Sequence, residues 1–167
     1  ELSKKLLAEA GYPDGLELSF KLPPVENYAR QGGQIIAAQL EKAGFKIKIE
    51  NVDWPKWLDE VYKNKNYDLS IVAHVEPMDI GIYTRDNYYF NYKNPKLNET
   101  VAAAESAASP EERTKLLQEA QKILAEDAVN GYVFQLPRII VARQGLNGVW
   151  KDLPLFATDV ARMSWSD

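Results

Sequence analysis

The 167-residue sequence contains no cysteine and only one histidine, His74. The absence of cysteine excludes disulfide bonds, thiolate catalysis and cysteine-based metal sites, although it does not identify the cellular compartment. With a single histidine, the chain also lacks the usual ligand set of a zinc site. We therefore predict no metal ion and no other cofactor.

The sequence also lacks basic runs and long apolar runs. Its formal net charge is −4 and its pI is near 5.2, which argues against a nucleic-acid partner. No apolar stretch reaches the roughly 20 residues that a transmembrane helix needs, so we expect a chain that does not span a membrane. The sequence opens inside a helical pattern, as a piece of a longer protein would, and we expect any signal segment to lie outside it.

Strand and helix patterns alternate through the first half of the chain. Residues 16–22 and 45–52 alternate apolar and polar side chains, which is typical of strands with one buried face. Residues 67–73 are apolar on both faces, which indicates a buried strand. Helical patterns lie between these strands, and the stretch 25–30 before the first helix is expected to be a loop. This order predicts an α/β fold with a mixed, mainly parallel sheet flanked by helices.

The second half is predicted to contain two helices, two strands and a turn. Ser109 is followed by Pro110 and by Glu112 at the third helical position, which is a capping box, so a helix begins there and runs to about Asp127. By its length, the whole chain is expected to form a single domain. The remaining predictions are a helix over 97–108, strands over 132–136 and 139–141, a turn at 145–148 and a final extended segment over 160–165.

One stretch, residues 67–95, combines a buried strand with an unusual set of polar and aromatic side chains. His74, Glu76 and Asp79 lie within six residues of one another, and an aromatic patch over 83–92 follows. In open α/β sheets, ligands bind beyond the carboxyl ends of the strands, so charged groups beside rings predict a small-molecule site here. A structural histidine, capping carboxylates and a satellite aromatic cluster would give the same pattern, and the spacing leaves these alternatives open.

Several longer motifs follow one another along the chain: KKLLAEAGYPDG, LELSFKL, QLEKAGFKIKIENVDWPKWLDEVY, YDLSIVAH, SPEERTKLLQEAQKILAEDA and RIIVARQGLNGVW. Taken in this order, they resemble the C-terminal lobe of the family 5 extracellular solute-binding proteins. These proteins are the oligopeptide-, dipeptide- and nickel-binding receptors of bacterial ABC importers. The resemblance implies a type II periplasmic-binding-protein-like lobe. Residues 1–167 would then be the C-terminal lobe of a two-lobed protein, with the N-terminal lobe absent from this chain.

The resemblance also implies ligand contacts at particular positions. His74 and Glu76 match a tryptophan and an acidic residue that follow the third strand in the family, and Asp79 is the competing acidic position. Further positions that match ligand-lining positions of the family are Trp54, Tyr28, Arg30 and Tyr88, followed by Tyr89 and Asn91. Histidine in place of tryptophan departs from the peptide-binding pattern. The ligand that the resemblance implies is a peptide, a sugar or a related small polar solute.

The function implied by the resemblance is non-catalytic: one wall of a ligand cleft that closes about a hinge. The implied partners are the N-terminal lobe and an ABC transporter permease. The implied location is the periplasm, or the cell surface if the protein is a lipoprotein. Two alternatives follow from the residues themselves. Glu76 and Asp79 would suit a glycosidase-like hydrolase, which needs two carboxyl groups roughly 5–9.5 Å apart. The aromatic patch over 83–92 would suit a plain protein-interaction domain.

Overall fold

A computed structural model describes residues 1–74, 79–135, 137, 139–150 and 158–166. The chain divides into two compact units. The first consists of Glu1–His74 and Arg85–Lys93, and the second of Val75–Thr84 and Asn94–Asp167.

The first unit alternates strands and helices, as the periodicity predicts. Its helix α3 is continued by a π-helical turn, and we call the two together the tryptophan helix. The elements in order are α1 (Leu2–Glu9), β1 (Leu16–Leu22), a π-helical turn (Glu26–Gln31), α2 (Gly32–Ala43), β2 (Phe45–Asn51), α3 (Trp54–Trp57), the second π-helical turn (Leu58–Lys63) and β3 (Leu69–Ser70).

The sheet of the first unit is parallel, with β1 in the centre between β2 and β3. Leu16 lies opposite Phe45 at one end of β1, and Lys21 lies opposite Ser70 near the other. Parallel neighbours need crossover connections, which the helices supply. The predicted α/β class with a mainly parallel sheet is therefore confirmed. Strand β3 is only two residues long, so the predicted strand over 67–73 is too long.

The two faces of the sheet are covered by different layers. Phe20 and Leu22 of β1 pack with Ala37 of α2 in one buried cluster. Because side chains alternate along a strand, Lys21 points to the opposite face. There the tryptophan helix contributes Trp57 to a second buried cluster. The other buried members of that cluster are Val52, Val61 and Tyr89.

Local sequence determines where the helices begin and end. Gly44 ends α2 with φ of 109°, a left-handed conformation that glycine adopts at little cost. The carboxylate of Asp53 caps the tryptophan helix by accepting a hydrogen bond of 2.8 Å from the backbone N–H of Lys56. The predicted loop over 25–30 is wrong. The N–H of Arg30 donates to the carbonyl of Val25 at 3.0 Å, so the stretch is helical.

The second unit is built around two helices that contact each other, and each helix has one buried face. The buried residues are Leu97, Val101 and Ala104 of the first helix and Ala120, Ile123 and Leu124 of the second. Its two short strands pair antiparallel. The elements are a 3₁₀ turn (Asp79–Thr84), α4 (Pro95–Glu105), α5 (Pro110–Glu126), β4 (Leu146–Asn147), a second 3₁₀ turn (Val160–Arg162) and β5 (Ser164–Trp165).

Several predictions for the second half are wrong where the structure describes the residues. Helix α4 ends at Glu105 instead of continuing to 108. Residues 132–135 and 139–141 form no strand; Ile139 is 85% and Val141 92% exposed. Leu136 lies outside the described residues. The predicted turn at 145–148 is partly a strand, since Leu146–Asn147 pair with β5. The predicted final segment is extended only at Ser164–Trp165.

The predicted start of α5 at Ser109–Pro110 is confirmed, with one difference from the predicted capping box. The hydroxyl of Ser109 accepts a 3.1 Å hydrogen bond from the N–H of Glu112, whereas the Glu112 carboxylate accepts one from the N–H of Ala108 and not from that of Ser109. We expect Ser109→Ala to lower the free energy of unfolding by about 1 kcal/mol, because the Glu112 N–H loses its partner. Urea denaturation measures the change. Ser106→Ala at the end of α4 is the control, and an equal loss there would contradict a specific capping role.

Candidate functional site

The three parallel strands of the first unit end at one edge of the sheet, and predicted ligand positions follow each of them. Tyr28 and Arg30 come after β1, Trp54 after β2 and His74 after β3. The chain runs from β1 to β2 on one side and then crosses to β3 on the other. A reversal of this kind is where open α/β sheets form their ligand crevice. The connectivity therefore brings these four predicted positions to the same edge.

Trp54 presents a partly exposed ring at this edge. Its side chain is 40% exposed, and its ring meets that of Trp57 edge to face, with the centroids 5.7 Å apart. Trp57 is only 5% exposed and packs edge to face on Tyr89 at 5.6 Å. Buried rings thus support an accessible ring, which is an arrangement suited to contact with a ligand.

His74 is half-buried and held by the aromatic residues of 88–90. Its Nε2 lies 2.8 Å from the hydroxyl of Tyr89, and the planes of the two rings are nearly parallel, at 8°. Phe90 meets the imidazole edge to face at 5.7 Å. Tyr89 is itself fixed, because its carbonyl accepts a 2.9 Å hydrogen bond from the hydroxyl of Tyr67. The orientation of the imidazole is therefore set by its neighbours.

Arg30 lies in the π-helical turn after β1 and is half-buried, as is Tyr28. Its Nε is buried and makes no hydrogen bond to the part of the chain that the structure describes. A buried donor without a partner is costly, and a guanidinium presents five N–H donors in a fixed plane. An acceptor such as a carboxylate would satisfy this group.

The remaining predicted positions have different surroundings. Tyr88 is half-buried and packs edge to face on Tyr62 at 5.9 Å, with the Arg85 guanidinium 5.6 Å from its ring centroid. Asp79 begins the 3₁₀ turn of the second unit. Glu76 lies outside the described residues.

The residues of the predicted aromatic patch over 83–92 belong to two different units of the structure. Tyr88 packs in the first unit, whereas Tyr83 belongs to the second. There the hydroxyl of Tyr83 accepts a 2.5 Å hydrogen bond from the side-chain amide of Asn130, and the Tyr132 hydroxyl lies 3.1 Å away. Burial, above all, and the Tyr132 hydrogen bond raise the pKa of Tyr83.

A polar network behind the site was not predicted. Lys21 is 5% exposed, and its Nζ lies 2.6 Å from the Glu60 carboxylate, which Lys56 also approaches, at 3.6 Å. The hydrogen bond from Lys21 is the largest cause of the lowered pKa of Glu60. The indole N–H of Trp57 donates to the Ser70 hydroxyl at 2.9 Å, and that hydroxyl donates to the Lys21 carbonyl at 2.8 Å. Lys21 is one of the polar residues in the alternating pattern over 16–22, which by itself predicts a side chain that faces solvent.

Among the described residues, no group of three His, Asp or Glu side chains is arranged to hold a metal ion. None of the described helices is long and apolar enough to cross a membrane.

The fold is that of the type II periplasmic-binding-protein class, an α/β arrangement with a parallel sheet flanked by helices. A dipeptide-binding protein from Pseudoalteromonas sp. SM9913, solved with Met-Leu, superposes with a TM-score of 0.67 at 19% identity, over 99% of this chain and 35% of that one. The Haemophilus influenzae OppA complex with RPPGFSPFR gives 0.66 at 25% identity, over 74% and 26%.

The sequence itself identifies the family. The model of the bacterial extracellular solute-binding proteins, family 5 Middle, matches residues 1–96, and the chain belongs to this family. The periplasmic oligopeptide-binding protein OppA of Haemophilus influenzae is 29% identical over 134 residues, which are 74% of this chain and 25% of that protein. The chain spans about a quarter of the length of the curated relatives it matches. The predicted family resemblance is thereby confirmed.

Tyr67 gives a test of the packing behind His74. Burial raises its pKa to about 12, so its stabilising contribution is complete below pH of about 10 and is lost as the pH rises towards 12. We expect Tyr67→Phe to cost about 1 kcal/mol at neutral pH, through the lost hydrogen bond to Tyr89. Its free energy of unfolding should then fall less steeply over this alkaline window.

Urea denaturation at a series of pH values measures both effects. Tyr12→Phe, at an exposed tyrosine, is the matched control and should follow the native profile. A native alkaline slope in Tyr67→Phe would show that the Tyr67 hydroxyl is not protected by burial.

Proposed function

We propose that this chain is the C-terminal lobe of the substrate-binding component of a bacterial ABC importer, and that it supplies one wall of the ligand cleft. The observation that carries the proposal is the arrival of Tyr28, Arg30, Trp54 and His74 at one edge of the parallel sheet. The descriptions of its relatives as oligopeptide- and dipeptide-binding proteins support it. An N-terminal lobe would supply the opposite wall.

The chemistry of the edge favours a ligand that carries a carboxylate. The buried Nε of Arg30 lacks an acceptor among the described residues, and a planar guanidinium binds carboxylates through two parallel hydrogen bonds. The exposed ring of Trp54 offers apolar area beside such a group at little cost in side-chain entropy. A short peptide carries both a terminal carboxylate and apolar side chains, and so does a small acidic solute.

A positive group on the ligand would be recognised by one of the two predicted acidic positions, Glu76 and Asp79. Glu76 or Asp79 would accept hydrogen bonds from a ligand amine, and such charged hydrogen bonds gain strength once the cleft excludes water. His74 occupies the place of the family's tryptophan and would give a polar ring at the same wall. Selectivity would follow from the cost of leaving any of these groups unpaired.

The proposed role is binding without catalysis, in the extracytoplasmic space. Closure of two lobes about a hinge would bury the ligand and present the closed form to the transporter permease. Relatives described as periplasmic support this location. A measurable turnover of glycosides that Glu76→Gln abolishes would instead favour the hydrolase alternative.

The role of Arg30 is tested by calorimetric titration of the full-length, two-lobed protein with a panel of probes. The panel contains the dipeptide Met-Leu, the peptides STSA and RPPGFSPFR, and neutral oligosaccharides. We expect Arg30→Met to weaken the binding of Met-Leu roughly 10- to 100-fold, because a hydrogen bond to a charged group contributes about 1.5–3 kcal/mol. The native protein should discriminate against the C-terminal amide of Met-Leu, and Arg30→Met should not.

Arg113→Met, at an exposed arginine of α5, is the matched control and should bind as the native protein does. Equal discrimination against the amide in native and Arg30→Met proteins would remove Arg30 from the site. Tight binding of the neutral oligosaccharides would replace the peptide class with a sugar.

The exposed ring of Trp54 gives a second test with the same titration. We expect Trp54→Ala to weaken binding of Met-Leu about tenfold or more, because loss of a well-placed ring at an interface costs on the order of 1–2 kcal/mol or more. Tyr12→Ala removes a ring of similar exposure, 46% against 40%, that lies in the turn after α1. It should leave binding unchanged. Native affinity in Trp54→Ala would place the ligand elsewhere.

A further inference from the structure

The hydroxyl of Ser70 joins three elements of the first unit. It belongs to β3, donates a hydrogen bond of 2.8 Å to the carbonyl of Lys21 in β1, and accepts one of 2.9 Å from the indole N–H of Trp57. Lys21 and Ser70 are direct partners in the parallel ladder, so their side chains lie on the same face of the sheet. The tryptophan helix covers that face.

The bond to Ser70 fixes the plane of a buried ring. Trp57 is 5% exposed, so its N–H needs a protein partner, and only some orientations of the indole direct that N–H at Ser70. Trp54 meets this ring edge to face, at 80° between the planes. The orientation of Trp57 therefore limits the orientation that Trp54 can adopt.

A separate interaction holds the helix itself. The Lys21 ammonium binds Glu60, which lies three residues after Trp57 and hence on the same side of the helix. The position of the helix therefore does not depend on Ser70 alone. Ser70 fixes the orientation of the Trp57 ring that the helix carries, whereas the Lys21–Glu60 pair holds the helix itself against the sheet.

We propose that Ser70 is a positioning residue for the ligand wall, acting through Trp57 to orient the exposed ring of Trp54. Its importance for binding rests on the proposed function, whereas the coupling between Ser70 and Trp54 is a property of the first unit alone. No part of the sequence resemblance assigned a role to Ser70. The specificity of the wall would then be set partly by a residue that does not touch the ligand.

The test compares Ser70→Thr with Ser70→Val, which have the same shape and differ only in the hydroxyl group. The chain is labelled with fluorotryptophan, and its four tryptophans give ¹⁹F resonances that single Trp→Phe variants assign. We expect the Trp57 and Trp54 resonances both to shift or broaden in Ser70→Val and to remain native in Ser70→Thr. The Trp165 resonance, from the second unit, should not change in either variant.

Ser19→Val is the matched control. The Ser19 hydroxyl also makes two hydrogen bonds, donating to the Asp68 carboxylate at 2.7 Å and accepting from the Asp68 N–H at 3.1 Å, but none of them reaches the tryptophan helix. This variant tests whether general loosening of the sheet is enough to move the tryptophan signals. We expect the Trp54 resonance of Ser19→Val to be native.

The possible results separate clearly. A Trp54 resonance that stays native in Ser70→Val while the Trp57 resonance moves would overturn the proposal and leave Ser70 as a partner of Trp57 only. An equal response in Ser19→Val would also overturn it. Should Ser70→Val fail to fold, Ser70→Ala gives the same comparison with a smaller side chain. Absence of Met-Leu binding in the native two-lobed protein would count against the cleft and not against this coupling.

Discussion

The buried ammonium group of Lys21 is the constraint on which much of the first unit depends. Lys21 lies on the central strand, where it is 5% exposed, and a buried charge is tolerated only when it is paired. Its partner, Glu60, comes from the tryptophan helix. That helix must therefore cover this particular face of the sheet. Because the same helix begins with Trp54, satisfying one charge also brings an aromatic side chain to the carboxyl edge.

The candidate site follows from connectivity more than from any single motif. With β1 in the centre and its neighbours reached by crossovers in opposite directions, the two helical layers lie on opposite faces, and the loops after all three strands open at one edge. Alternating apolar residues over 16–22 and 45–52 were enough to predict β1 and β2. The positions of Trp54 and His74 after strands were predictable for the same reason.

Other features depend on contacts that a single sequence does not reveal. Lys21 follows the same alternation as a solvent-facing residue, and only the helix packed above it makes it buried. The turn Glu26–Gln31 closes with a hydrogen bond between residues five apart, for which no residue type is diagnostic. Residues 139–141 have strong strand propensity, but a strand also needs a neighbour to pair with, and here these residues are exposed.

The rings of the candidate site form two layers, with Trp57 and Tyr89 buried behind the partly exposed Trp54 and His74. Trp57 and Tyr89 are each 5% exposed. Trp57 packs against the Trp54 ring and is itself held by its hydrogen bond to Ser70, whereas the Tyr89 hydroxyl is hydrogen-bonded to the His74 imidazole. A wall that is rigid before binding loses little conformational entropy when a ligand arrives, so more of the contact energy appears as affinity.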